Sequence, residues 1–90
     1  MNNKIVLAAL SMDLRRVALG YHRGSKQMAQ RFFEEALKRK DEIDLSSLKP
    51  YLRILLAQFP TIKFQESDMD IAEDALMFST LFQNAAMKSR

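Results

Sequence analysis

Few residues of this chain are of the types that perform covalent or acid–base chemistry. The 90 residues include one histidine, His22, and no cysteine. A Ser–His–Asp or Cys–His site would have to form around His22, which has Arg23 beside it and no carboxylate near it in the sequence. No Gly-rich phosphate loop, zinc-ligand spacing or dinucleotide-binding motif is present. We therefore predict a non-enzymatic protein with no catalytic residue, no cofactor and no small-molecule substrate.

Acidic residues are grouped between residues 68 and 74. Asp70, Glu73 and Asp74 are three and four residues apart, so a helix would place them close enough to share a divalent cation. The segment lacks the glycine and the length of a calcium loop, and it has no histidine as in di-iron bundles. Acidic side chains also stabilise a helix N-terminus through the helix dipole. We predict that role, and no metal site.

Basic residues surround the segment between the first two predicted helices. Free N–H groups at a helix beginning near Ser25 could bind a phosphate, and helix, link and helix are compatible with a helix-turn-helix. Glu34 and Glu35 oppose the approach of phosphate. The alternative is that these cations are solvated or pair with the acids of the fourth helix. The candidate patch for a polar partner or nucleic acid is Arg15, Arg16, His22, Arg23 and Lys26.

Four helices follow from the apolar spacing and the capping signals. Gly20 is predicted to end the first helix in a left-handed conformation, and Ser25 to cap the second. Residues 61–66 alternate like a strand that has no partner, so we expect an extended connector with Ile62 and Phe64 pointing inward. The predicted helices span residues 3–19, 26–40, 48–58 and 68–87.

The first predicted helix is the one around which the chain is organised. One of its faces carries Leu7, Leu10, Leu14, Val17 and Tyr21, and the nearly opposite face carries Ile5, Ala8, Met12 and Leu19. The third helix is apolar almost all round, which indicates a central position or an interface. The predicted apolar interface consists of Ile5, Ala8, Met12 and Ile54. Alternatively, Ile43, Leu45, Ile62 and Phe64 of the connectors cover these faces and the protein is a monomer.

Charge is distributed unevenly along the chain. Residues 1–40 have nine basic and three acidic side chains, whereas residues 64–90 have two basic and five acidic ones. Opposite charges at the two ends can be satisfied when the ends pack together. The apolar run after Lys4 is too short for a secretory signal and no stretch is long enough to span a membrane, so we expect a cytoplasmic protein with no membrane partner.

These features predict one all-α domain over residues 1–90. Its fold is a small four-helix bundle with up-down connectivity and short links; the alternative is a three-helix bundle with a packed or swapped fourth helix. The predicted function is a protein–protein interaction module that forms a homo-oligomer or binds a protein partner and acts as a regulatory protein. The alternative function is nucleic-acid binding by the basic link.

Overall fold

The computed structural model describes residues 2–88, and within that range the fold is built from helices alone. Two 3-10 helices, Leu45–Ser47 and Phe59–Phe64, lie in the connections. The predicted all-α bundle is confirmed, and the predicted helix boundaries are within three residues of the observed ones. The α-helices are α1 (Asn3–His22), α2 (Lys26–Asp41), α3 (Pro50–Gln58) and α4 (Asp68–Lys88).

The link between α1 and α2 is closed by Gly24. This glycine has φ of +75°, a left-handed conformation that favours glycine. The amide of Gly24 donates to the carbonyl of Tyr21, and that of Ser25 donates to the carbonyl of Gly20, which is the bonding pattern of a Schellman motif. The prediction that Gly20 caps α1 after Leu19 is wrong, because the capping glycine lies four residues later.

Gly20 instead allows α1 and α2 to approach closely. A Cβ atom built on Gly20 would lie 2.7 Å from the backbone nitrogen of Ala29 and 3.0 Å from its Cα. The start of α2 is fixed by Ser25, whose hydroxyl accepts a hydrogen bond from the amide of Met28 at 3.2 Å. This confirms Ser25 as the predicted N-cap. The backbones of α1 and α2 are therefore in contact close to the turn that joins them.

Helices α1 and α4 run antiparallel and are joined by two buried serines. The hydroxyl of Ser11 donates to the carbonyl of Ser79, and the hydroxyl of Ser79 donates to the carbonyl of Ser11, each at 2.8 Å. Ala72 and Ala86, seven residues to either side of Ser79, are also buried and keep this face of α4 small. Because α1 packs against both α2 and α4, it is the central helix of the bundle.

The third segment of the bundle is α3 continued by the 3-10 helix Phe59–Phe64. Phe59 is fully buried, with its ring centroid 6.2 Å from that of Phe33 and 5.9 Å from that of Phe82. Ile62 is buried as expected, but Phe64 is 77% exposed. The prediction of an extended connector is therefore wrong, and so is the inward position of Phe64. Successive side chains of a 3-10 helix are about 120° apart. Ile62 and Phe64, two residues apart, therefore point to different sides.

Helix α3 is peripheral within this chain. Leu52 and Leu56 are buried, whereas Tyr51 and Ile54 are more than half exposed. A central position for the third helix is therefore wrong. In the preceding connection Ile43 is buried and the side chain of Leu45 is half exposed, so the connectors cover the core only in part.

Helix α4 packs on the core through a seam of apolar residues. Ala86 is buried beside this seam, whereas Leu81 is exposed. The seam residues, all buried, are Ile71, Ala75, Phe78, Phe82 and Ala85.

Candidate functional site

The face of α1 that points away from the core carries an exposed apolar stripe, which we call the outer stripe. Its members recur at helical spacing and are Ile5, Ala8, Met12 and Leu19. Their exposure is high for apolar residues: Ile5 is 60% exposed, Met12 45% and Leu19 41%. The other predicted face, with Leu7, Leu10, Leu14 and Val17, is buried in the core. No other element of the chain covers the outer stripe within residues 2–88.

Helix α4 adds further apolar residues beside the outer stripe. Met69, Leu76 and Met87 are each at least 45% exposed. They lie on the flank of α4 next to α1, because each is about 60–100° around the helix from one of the small residues that face α1. Those small residues are Ala72, Ser79 and Ala86. We call Met69, Leu76, Met87 and the outer stripe together the outer face. The sequence prediction missed the α4 residues, although their spacing of seven and eleven residues places them on one side of a helix.

Ile54 does not belong to the outer face. It is 56% exposed on α3, and α3 packs on the core side of α1, where Leu48 and Leu52 surround the buried Leu7. The structure therefore brings together Ile5, Ala8 and Met12 of the predicted apolar interface and leaves Ile54 on the opposite side of the molecule.

The outer face is framed by charges of opposite sign on its two helices. On α1 the exposed charged residues beside the stripe are basic, Arg15 among them, and the only acid of the helix, Asp13, is buried. On α4 the exposed residues Asp70 and Glu73 are acidic. Within residues 2–88, Arg15 and Glu73 form no ion pair, although their helices are neighbours. Each charge is therefore available to another molecule.

The five residues of the predicted basic patch do not form one surface. Arg16 turns towards α2, where its guanidinium lies 3.7 Å from a carboxylate oxygen of Asp13. Lys26 turns towards α4 and pairs with Asp68 at 3.4 Å. Arg15 lies on the α4 side of α1. His22 and Arg23 are exposed at the end of the helix pair. Pairing of these cations with the acids of the fourth helix is thus realised by Lys26.

A smaller basic and aromatic cluster lies between α1 and α2. The guanidinium carbon of Arg16 lies 5.3 Å from the ring centroid of Phe32, and that of Arg31 lies 6.0 Å from the same ring. Such cation–π contacts at a surface contribute about 0.5–1 kcal/mol each. Arg31 was not part of the predicted patch. The structure divides the predicted patch between two sides of the molecule. Nucleic-acid binding by the basic link stays a prediction.

One buried charge links α1 to α2. Asp13 is 5% exposed, and its Oδ2 lies 3.5 Å from Nε of Arg39, longer than a normal hydrogen bond. Neither of these two atoms has another hydrogen-bond partner within residues 2–88. Burial raises the pKa of Asp13 above its usual value, and the charges of Arg39 and Arg16 oppose that rise only in part. This ion pair is held by its place in the core and is remote from the outer face.

The acidic start of α4 shows no grouping of metal ligands. Across residues 2–88, no three histidine, aspartate or glutamate side chains lie close enough to hold a metal ion. Asp74 accepts a hydrogen bond from the side-chain amide of Gln65 at 2.7 Å, which fixes the turn before α4. Among the described helices, none has both the length and the hydropathy that crossing a bilayer requires.

Comparison of the chain with protein-family models, with curated proteins and with solved structures finds no match. The surfaces described above are therefore the basis for a functional proposal.

Proposed function

We propose that the protein is a non-enzymatic helical interaction module that forms a homodimer through its outer face. The observation that carries this proposal is the outer stripe. The central helix buries Leu7, Leu10, Leu14 and Val17 of one apolar face. Its other side still exposes a line of apolar residues, Ile5, Ala8, Met12 and Leu19. Isolated exposed apolar residues are common, but a contiguous apolar patch is typical of an interaction site.

The size of the molecule agrees with such a dimer. Its principal extents are 37 × 20 × 19 Å, so one long side measures 37 × 20 Å. A stable interface buries about 800 Å² on each partner. Covering the side that bears the outer face would bury an area of this order. Each Å² of apolar surface that is removed from water contributes about 25 cal/mol of favourable free energy.

A pair of matched isoleucine variants tests the proposal. Ile5 and Ile54 are exposed to nearly the same extent, 60% and 56%, on opposite sides of the molecule. Replacing either by glutamine should leave the fold intact, because exposed substitutions of this kind change stability by about 0.5 kcal/mol or less. We expect Ile5→Gln to weaken the dimer and Ile54→Gln to leave it unchanged.

Sedimentation equilibrium of the native protein and both variants at the same set of concentrations measures this difference. Loss of apolar contact at Ile5 in both copies should raise the dissociation constant by about tenfold or more. A dimer that is weakened only by Ile54→Gln would move the interface to α3 and contradict the proposal. A regulatory role and a cytoplasmic location stay predictions from the sequence.

A further inference from the structure

The arrangement of the two copies follows from the charges and the helix register, and it rests on the proposed function. We infer that α1 of each copy packs against α4 of the other, with the two-fold axis parallel to the helices. The occupant of the outer face is thus a second copy of this chain. Arg15 of each copy pairs with Glu73 of the second copy.

Charge complementarity favours this arrangement. The exposed charges of α1 next to the outer stripe are basic, namely Lys4, Arg15 and Arg16, whereas the first half of α4 exposes Asp70 and Glu73. The one basic residue of α4, Lys88, lies at the opposite end of that helix from Glu73. Packing α1 against α4 of the second copy therefore brings charges of opposite sign together. Like charges that face each other across an interface cost several kcal/mol, so charge pattern selects among otherwise similar apolar packings.

The register of the helices places Arg15 at the level of Glu73. Within one chain Ser11 lies opposite Ser79, so in antiparallel helices each step up α1 is matched by a step down α4. Arg15 is then level with residue 75, between Glu73 and Leu76. A two-fold axis parallel to the helices preserves these levels, and the second copy therefore presents its own Glu73 to Arg15.

The same register pairs the apolar residues of the outer face. Ile5 is level with residue 85, so its neighbour in the second copy is Met87. Leu19 is level with residue 71, and its neighbour there is Met69. The pair of Arg15 and Glu73 is thus flanked by apolar contacts, which reduce its exposure to water and to salt.

One other symmetric packing would use the same stripe. A two-fold axis perpendicular to the helices would place α1 antiparallel on α1, centred on Met12, because Ile5 and Leu19 each lie seven residues from Met12. That packing places Arg15 and Arg16 of each copy level with Ala9 and Ala8 of the other, so that four arginines border a seam without an exposed acid. The outer stripe alone would permit it, and the charges disfavour it.

Charge reversal tests the inference with the intact chain. We expect Arg15→Glu and Glu73→Arg each to raise the dissociation constant of the dimer by at least about tenfold at low salt. An equal mixture of the two variants should recover nearly native affinity. In the heterodimer one copy carries glutamate at positions 15 and 73 and the other carries arginine at both, so each of the two contacts joins opposite charges. Lys49→Glu, at the N-cap position of α3, changes the net charge as Arg15→Glu does and should leave the dissociation constant unchanged. Analytical ultracentrifugation measures all four samples.

Rescue in the mixture distinguishes contact between copies from contact within one chain. Each variant alone carries charges of one sign at positions 15 and 73, so only a contact with the other variant can pair opposite charges. Failure of the mixture to bind more tightly than the single variants would overturn the inference. Rapid disulfide formation by Met12→Cys would also overturn it, in favour of the packing of α1 on α1; the chain has no cysteine of its own to confuse this result. A dimer indifferent to charge would leave the proposed function standing, whereas a native monomer at every concentration would remove both.

Discussion

Replacing Gly20 by alanine should destabilise the protein, although alanine is the better helix former. Gly20 is buried inside α1, and its backbone is helical. The added Cβ atom would meet the backbone nitrogen of Ala29 at 2.7 Å and its Cα at 3.0 Å. Real Cβ contacts are not this short, and the atoms concerned are backbone atoms that no rotamer change can move. Helix α2 must therefore shift away from α1.

Two opposing terms set the size of this effect. Forcing an extra carbon into a packed site costs about 1–3 kcal/mol. Replacing glycine by alanine inside a helix returns about 0.8–1 kcal/mol. Because backbone atoms of Ala29 must move, the packing cost lies in the upper part of its range, about 2–3 kcal/mol. The net loss in the free energy of unfolding is then about 1–2 kcal/mol for Gly20→Ala, a fall in Tm of about 4–16 °C for a domain of this size.

Urea unfolding followed by circular dichroism, at equal concentrations of native and variant protein, measures the loss. Gly24→Ala serves as a comparison, because Gly24 has open space around it and a φ of +75°, so its cost comes from backbone strain alone. The sign of the change in unfolding free energy for Gly20→Ala shows whether the close contact outweighs the helix preference of alanine. If alanine at Gly20 stabilises the protein, the close approach of α1 and α2 is not present and the reasoning fails.

Three further predictions concern the core and the helix contacts. Phe59→Ala should cost about 3–5 kcal/mol and Phe64→Ala less than about 0.5 kcal/mol in urea unfolding, because only the first ring is buried; similar losses would place Phe64 inside. Ser11→Ala and Ser79→Ala should each cost about 0.5–1.5 kcal/mol for one lost buried hydrogen bond, and an unchanged stability in both would show that the serines do not join α1 and α4. Burial raises the pKa of Asp13 above 3.8, so the folded state binds this proton more tightly than the unfolded state does. The native protein should therefore gain stability relative to Asp13→Asn as the pH falls from neutral towards about 4. A gain in stability on raising the pH would contradict this cause.

Much of the fold could be predicted because apolar periodicity shows which residues of a long helix share one face. The face of α1 with Leu10 and Leu14 and the seam of α4 with Phe78 and Phe82 are buried as their spacing indicates. Ser25 could be predicted as the cap of α2 because its hydroxyl can accept a hydrogen bond from a free amide of the first turn, here that of Met28.

The errors arise where two physical roles share one residue type. Glycine serves both a left-handed turn and a close helix contact, so Gly20 and Gly24 could not be distinguished without the position of Ala29. An alternating pattern fits a strand, yet Phe59–Phe64 forms a 3-10 helix because Phe59 is anchored between two other rings. That anchoring is a tertiary contact and leaves no local signal.

The candidate site could be predicted in part for the same reason. The outer stripe follows from the periodicity of α1, since a helix with two apolar faces can bury only one inside a small bundle. The sequence could not show that Ile54 lies on the opposite side, because helix order in space depends on packing. It could not divide Arg15 from Arg16 either; Arg16 is drawn to α2 by Asp13 and Phe32.

The most direct test of the central claim is the mass of the native protein in solution over a dilution series. The chain has a mass of 10.4 kDa. Association through the outer face predicts a mass twice that value at high concentration, falling towards 10.4 kDa as the protein is diluted. A mass of 10.4 kDa at every concentration would contradict the claim.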